Sequence, residues 1–219
     1  MPVTIPLSLP AILLYITVVM SVVAGIIGLI RFRHLPTQLR YLAALTIFEL
    51  PLEVAGLVIM LSKGNNLFLM PIYTIGELAF LALLYRQTLQ LPAFSRVAPW
   101  VVAGFAVYAL VDSLALGVSW YRPGQQIVQS LLILSMVWLY FRKLLSELQV
   151  RYLAREPIFW VSTGLLIYFL GYLQIALFSN YLLQHYSPEF NRNVWAVHTL
   201  LSIVLHLCYC VALWMRPQK

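Results

Sequence analysis

The chain has 219 residues, 62% of them apolar and 10% charged, with a formal net charge of +7. A mean hydropathy of +0.88 excludes a soluble globular domain, in which roughly a quarter of residues are charged. The basic balance does not imply a nucleic-acid partner either, because the cations sit in short connections between apolar runs.

Runs long enough to cross a ~30 Å hydrocarbon core predict helices over 9–30, 41–62, 67–85, 97–118, 124–141, 158–183 and 194–215. The fold class is therefore all-α: a polytopic membrane protein of seven transmembrane helices in a single domain, 1–219. The first run lacks a basic leader and reads as a retained helix, with Gly25 and Gly28 as contact points for a neighbour. The second run carries Glu49 and Glu53 one turn apart, with Pro51 between them where a missing N–H should kink the helix. The third holds Tyr73 and Glu77, another one-turn pair. Pro99 is expected in the first turn of the fourth run, which also carries Asp112.

The fifth run contributes Gln129 and Ser130, and the sixth Pro157 in its first turn, then Gly164, Gly171 and Gln174. On the seventh, Trp195, His198, Thr199, Ser202 and His206 recur every three or four residues and share one face. Cys208 and Cys210 are two residues apart on that helix and cannot pair with each other.

Orientation follows from the positive-inside bias. Arg31, Arg33, Arg40, Arg86, Arg96, Arg142, Lys143, Arg151, Arg155, Arg216 and Lys219 fall on one side, and only Lys63, Arg122 and Arg192 on the other. The N-terminus is accordingly expected outside and the C-terminus in the cytoplasm of a bacterial inner membrane. Tryptophans favour the membrane interfaces, and Trp100, Trp138, Trp160 and Trp214 fall near the basic ends, with Trp120 and Trp195 near the opposite ends.

Depth counted at ~1.5 Å per residue puts Glu49, Glu53, Glu77 and His206 near the midplane, and Asp112, Gln129, Ser130, Gln174 and His198 in the outer half. The inner third is expected to be almost purely apolar. A charged group at the bilayer centre costs at least ~2.5–3.5 kcal/mol, so such residues face a protein interior and mark function. Carboxylates without a basic partner are tolerated only if protonated, metal-bound or hydrated. Together with Tyr73, Trp195 and Ser202 these residues, if they converge, form an outward-facing polar cavity. Individually, Gln129, Ser130 and Gln174 are explained as well by hydrogen bonds between helices.

Several chemistries are disfavoured. Lys63, Lys143 and Lys219 lie outside the predicted spans, so no retinal Schiff base is expected. His198 and His206, roughly 12 Å apart along one helix, cannot clasp one haem. A metal held by His206 and the glutamates has no recognised ligand spacing, so no cofactor, metal or catalytic residue is assigned. Membrane hydrolases of the ceramidase and progestin-receptor type use a histidine pair one turn apart on the last helix, unlike the two-turn spacing here. A three-plus-one-plus-three arrangement of parallel repeats is permitted by helix number and topology.

The stretches PIYTIGELAFLALLYR (71–86), SLLILSMVWLYFRKLL (130–145), EPIFWVSTGLLIYFLGYLQIALFSNYLL (156–183) and NVWAVHTLLSIVLHLCYCVALW (193–214) resemble a family of uncharacterised bacterial seven-helix integral membrane proteins. The matching positions are Glu77, Pro157, Trp160, Gly164, Gly171, Trp195 and His198, with Gln129 where Glu or Asp is expected. Members often accompany sensor histidine kinases, so the resemblance implies a sensory role. The expected function is thus a receptor-like membrane protein that binds a small ligand from outside and signals through a separate partner such as a sensor kinase. Its basic inner loop, 142–157, would hold anionic lipid headgroups. An intramembrane hydrolase using the glutamates and His206 and a proton-coupled small-solute transporter are the alternatives.

Overall fold

The computed structural model describes residues 9–116, 123–147 and 153–215. The helices are α1 (Leu9–Arg31), α2 (Thr37–Leu61), α3 (Met70–Leu89), α4 (Pro92–Leu116), α5 (Pro123–Glu147), α6 (Pro157–His185) and α7 (Pro188–Trp214). Single 3-10 turns at Phe32–His34, Leu67–Leu69 and Leu153–Arg155 complete the regular structure, and there is no strand among the described residues. Each of the seven helices is long and apolar enough to cross a membrane. The shortest, α3, has 20 residues, which at ~1.5 Å each matches the hydrocarbon thickness. The protein is an integral membrane protein. Trp120, Arg122, Arg151, Arg216 and Lys219, which entered the orientation argument, lie outside the described residues.

The helices are longer than their predicted spans, α2, α4 and α7 by starting earlier and α3 and α5 by ending later, because backbone hydrogen bonding continues beyond the apolar run. Helix α4 begins at Pro92, so Pro99 is inside the helix and Pro92 occupies its start. Helix α7 begins at Pro188, where Ser187 caps it by accepting the Phe190 N–H at 3.2 Å. Lys143 falls on the last turns of α5 and His185 ends α6, so neither is a loop residue. Helix α2 passes through Pro51 without interruption, with the proline ring turned outward.

Six helices close a ring: α1 packs on α2 and α7, α2 on α3, α3 on α5, α5 on α6, and α6 on α7. Helix α4 leans on α3 from outside the ring, and its Trp100 and Leu114 are 78% and 84% exposed, as suits side chains facing lipid. With no hydrophobic drive between helices in lipid, close approach depends on small residues. A methyl group on Gly164 of α6 would sit 2.8 Å from Cys208 Cβ of α7, and one on Gly28 of α1 3.2 Å from Ala43 Cα of α2.

The two halves of the bundle differ. Inside the ring, the half nearer the basic ends is solid, packed from Leu39, Leu42, Leu81, Leu84, Val161 and Leu213, and a smaller recess of about 140 Å³ lies outside it between α3, α4 and α5. It is not purely apolar, because Tyr85, Tyr140 and Tyr209 are buried there and Tyr85 Oη hydrogen-bonds Ser162 Oγ at 2.8 Å. The cations at this end also close helix termini. Arg31 donates to the Leu213, Trp214 and Met215 carbonyls at the end of α7, and Lys143 to the Thr88 and Leu89 carbonyls at the end of α3. The other half holds most of the buried polar side chains, including Glu49, Thr74, Glu77, Gln125, Gln126, Gln129 and Ser130.

Candidate functional site

A cavity of about 360 Å³ occupies the polar half, walled by α1, α2, α3, α5, α6 and α7, the six helices of the ring. Helices α1, α3, α5 and α7 enter that half with their N-terminal segments, and α2 and α6 end in it. It reaches the surface beside Met60 and Asn66, at the α2–α3 connection.

Of the residues singled out from the sequence, Glu53, Tyr73, Glu77, Gln129, His198 and Ser202 line this cavity. Glu49, 2% exposed, lies one helical turn deeper on the same face of α2 as Glu53. His206 is likewise one turn below Ser202, with Nε2 at 3.7 Å from Glu53 Oε1. Trp195 flanks the wall, its ring edge-on to that of His198 at 5.6 Å between centroids. Ser130 is fully buried but is not part of the lining.

Two expected members stand elsewhere. Asp112 belongs to α4, outside the ring, where its carboxylate accepts from Gln125 Nε2 at 2.8 Å. Gln174 is exposed on the outer surface of α6. Two residues along a helix turn the side chain by about 200°, so with Tyr172 facing the cavity, Gln174 must face away.

The floor is a linked set of polar groups. Tyr73 Oη donates to Glu53 Oε1 at 3.5 Å. Gln129 Nε2 donates to Glu77 Oε2 at 2.7 Å and also approaches the Thr74 carbonyl at 3.3 Å. His206 Nδ1 lies 2.8 Å from the Ser202 carbonyl, which can only accept, so this nitrogen carries the proton. The Ser202 hydroxyl is farther away, at 3.4 Å from the same nitrogen. Ser202, His206 and Glu53 thus superficially form a nucleophile, base and carboxylate series, but the nitrogen facing the hydroxyl is committed as a donor and cannot take its proton.

Among the described residues no three His, Cys, Asp or Glu side chains come together to hold a metal ion. No lysine or arginine among the described residues lines the cavity, and Glu49 Oε2, Glu53 Oε2, Gln126 Oε1 and His206 Nε2 are buried without a hydrogen-bond partner.

The structure adds residues that the sequence reading passed over. Tyr168 and Tyr172 of α6 line the cavity, and Tyr168 Oη bonds His198 Nε2 at 3.0 Å. Their one-turn spacing is a signal that the sequence carries. Gln126, 1% exposed and one turn from Gln129, also lines the wall. Thr17 brings in α1, its hydroxyl donating to the Leu13 carbonyl, while Thr199, expected from the sequence on the polar face of α7, lines the cavity with its hydroxyl on the Trp195 carbonyl.

Fold and site together define a seven-helix membrane protein with an acidic, aromatic-walled cavity at one end of the bundle. No protein-family model, curated protein or solved structure matches the chain.

Proposed function

We propose that the protein is a receptor-like sensory protein of a bacterial inner membrane, binding a small ligand in the six-helix cavity. The observation that carries this reading is the shape of the interior. A cavity within the ~300–1,000 Å³ range of small-molecule sites reaches one end of the bundle and stops above a solid half. Such an arrangement favours holding a ligand over passing it through. All six ring helices touch the cavity, so a ligand that draws the walls together would shift helices whose other ends are joined by the basic connections. In this proposal the N-terminus and cavity mouth face outward, and the basic ends face the cytoplasm, anionic lipid and a signalling partner such as a sensor kinase. The kinase partner is what the resemblance to uncharacterised seven-helix proteins implies.

A proton-coupled transporter is the second reading, favoured by the descent of carboxyl groups from Glu53 and Glu77 in the cavity to Glu49 beneath them. A hydrolase is less well supported, because His206 Nδ1 is spent on the Ser202 carbonyl.

Thermal unfolding of the purified chain in lipid nanodiscs, screened against small-molecule libraries, tests the proposal, since a bound ligand stabilises by RT ln(1 + [L]/Kd). Stabilisation should be lost in Glu77→Gln and His198→Ala. Turnover of a lipid or amide substrate that disappears in Ser202→Ala would establish the hydrolase instead. Uptake of the stabilising compound into proteoliposomes, driven by a pH gradient, would establish the transporter.

A further inference from the structure

The wall of the cavity is unbalanced in hydrogen-bonding character, and the imbalance specifies a ligand. Most of its donors are turned toward the protein. The hydroxyls of Thr17, Thr74 and Thr199 return to carbonyls of their own helices. The amide nitrogens of Asn66, Gln126 and Gln129 point at Gly56 O, Met70 Sδ and Glu77 Oε2 respectively. What remains unmatched is acceptor capacity: Glu53 Oε2 and Gln126 Oε1, both buried, both on lining residues and both without a partner in hydrogen-bond geometry, the Ser21 hydroxyl and His206 Nε2 being the other groups that face the Glu53 carboxyl. Gln126 lies on α5 and Glu53 on α2, so the two acceptors come from separate walls.

An unmatched buried acceptor costs about 1–3 kcal/mol, and more if charged, until a donor arrives. Two of the acidic residues line the space against a single imidazole, His198, and among the described residues no lysine or arginine does, so the donor that suits it best brings positive charge. The remaining surface is chiefly leucine, methionine and tyrosine, and aromatic faces attract cations as well as apolar groups.

We propose that the cavity takes an organic ammonium ligand, an amine whose N–H donors meet Glu53 and Gln126 while its apolar body lies against Tyr168, Tyr172 and the leucines. The volume accommodates such a molecule, whereas a bare metal ion would leave most of the space unfilled. This assignment rests on the ligand-binding reading above and names the chemical class of its ligand.

The test uses the full chain in nanodiscs and three matched probe series sharing the same alkyl or arylalkyl bodies: primary amines, alcohols and carboxylic acids. The amines should stabilise the protein against heat, with the alcohols and acids at least about tenfold weaker, the equivalent of one charge-assisted hydrogen bond. Glu53→Gln should weaken amine binding by a similar factor. Gln126→Leu, which removes an acceptor that nothing in the protein uses, should weaken it several-fold and serves if Glu53→Gln fails to fold.

Alcohols or acids binding as well as the amines would overturn the ammonium assignment while leaving small-ligand binding intact. Sodium chloride alone giving the same Glu53-dependent stabilisation would replace the amine with an inorganic cation. If no member of any series stabilises the wild type, both the assignment and the binding reading fall.

Discussion

Glu77 shows how one side chain can be tolerated at membrane depth. Its carboxyl is 5% exposed, and Gln129 on the neighbouring helix supplies an amide donor at 2.7 Å. Hydrogen bonds between transmembrane helices average only ~0.6 kcal/mol, since a chain unfolded within the membrane also finds partners. Removing one member so that a carboxyl loses its donor is a different experiment, and it costs about 1–3 kcal/mol. Gln129→Leu should therefore destabilise the fold by that amount, measured by reversible denaturant unfolding in mixed micelles. Gln129→Asn, which keeps an amide but shortens the reach, should cost less than the leucine variant. Equal losses in the two would mean that packing, and not the hydrogen bond, holds this position.

Among the helices, the seams between pairs are set by glycine and the ends by arginine or lysine. Gly164 of α6 lets Cys208 of α7 approach to a distance that leaves no room for a methyl group. Gly164→Val should thus cost about 1–3 kcal/mol through overpacking, read as a lower melting temperature. The same change at Gly104 of α4, where nothing lies within 4 Å, should be nearly silent. Arg31 ties the end of α1 to three terminal carbonyls of α7. Arg31→Gln should loosen that corner by about 1–2 kcal/mol, visible as faster hydrogen exchange at the α7 C-terminus. The basic residues therefore do two things at once: they bias insertion, and they satisfy carbonyls that helix ends leave open.

At the scale of the molecule, the polar half with its cavity lies opposite the basic ends. If the basic ends are cytoplasmic, single cysteines placed in a background lacking Cys208 and Cys210 should label from only one side. Position 64, in the α2–α3 connection, should react with an impermeant maleimide added to intact cells or spheroplasts. Position 90, in the α3–α4 connection, should react only after lysis. The reverse pattern would turn the cavity toward the cytoplasm and make its ligand a cytosolic one.

The membrane class and seven helices were legible in the sequence because a span needs only length and apolarity, both local properties. The i,i+4 spacing of Glu49 with Glu53, and the face shared by His198, Ser202 and His206, were legible for a similar reason, since helical geometry alone aligns them. Which faces meet was not local. Asp112 and Gln174 have the same polar character as Glu77 and Gln129, yet α4 stands outside the ring and Gln174 points away from it. Tyr168, Tyr172 and Gln126 became site residues through the packing of α5 and α6 against their neighbours. Periodicity determines the face on which a residue lies, but the partner of that face depends on the order in which the helices close the ring. Only the tertiary structure decides that.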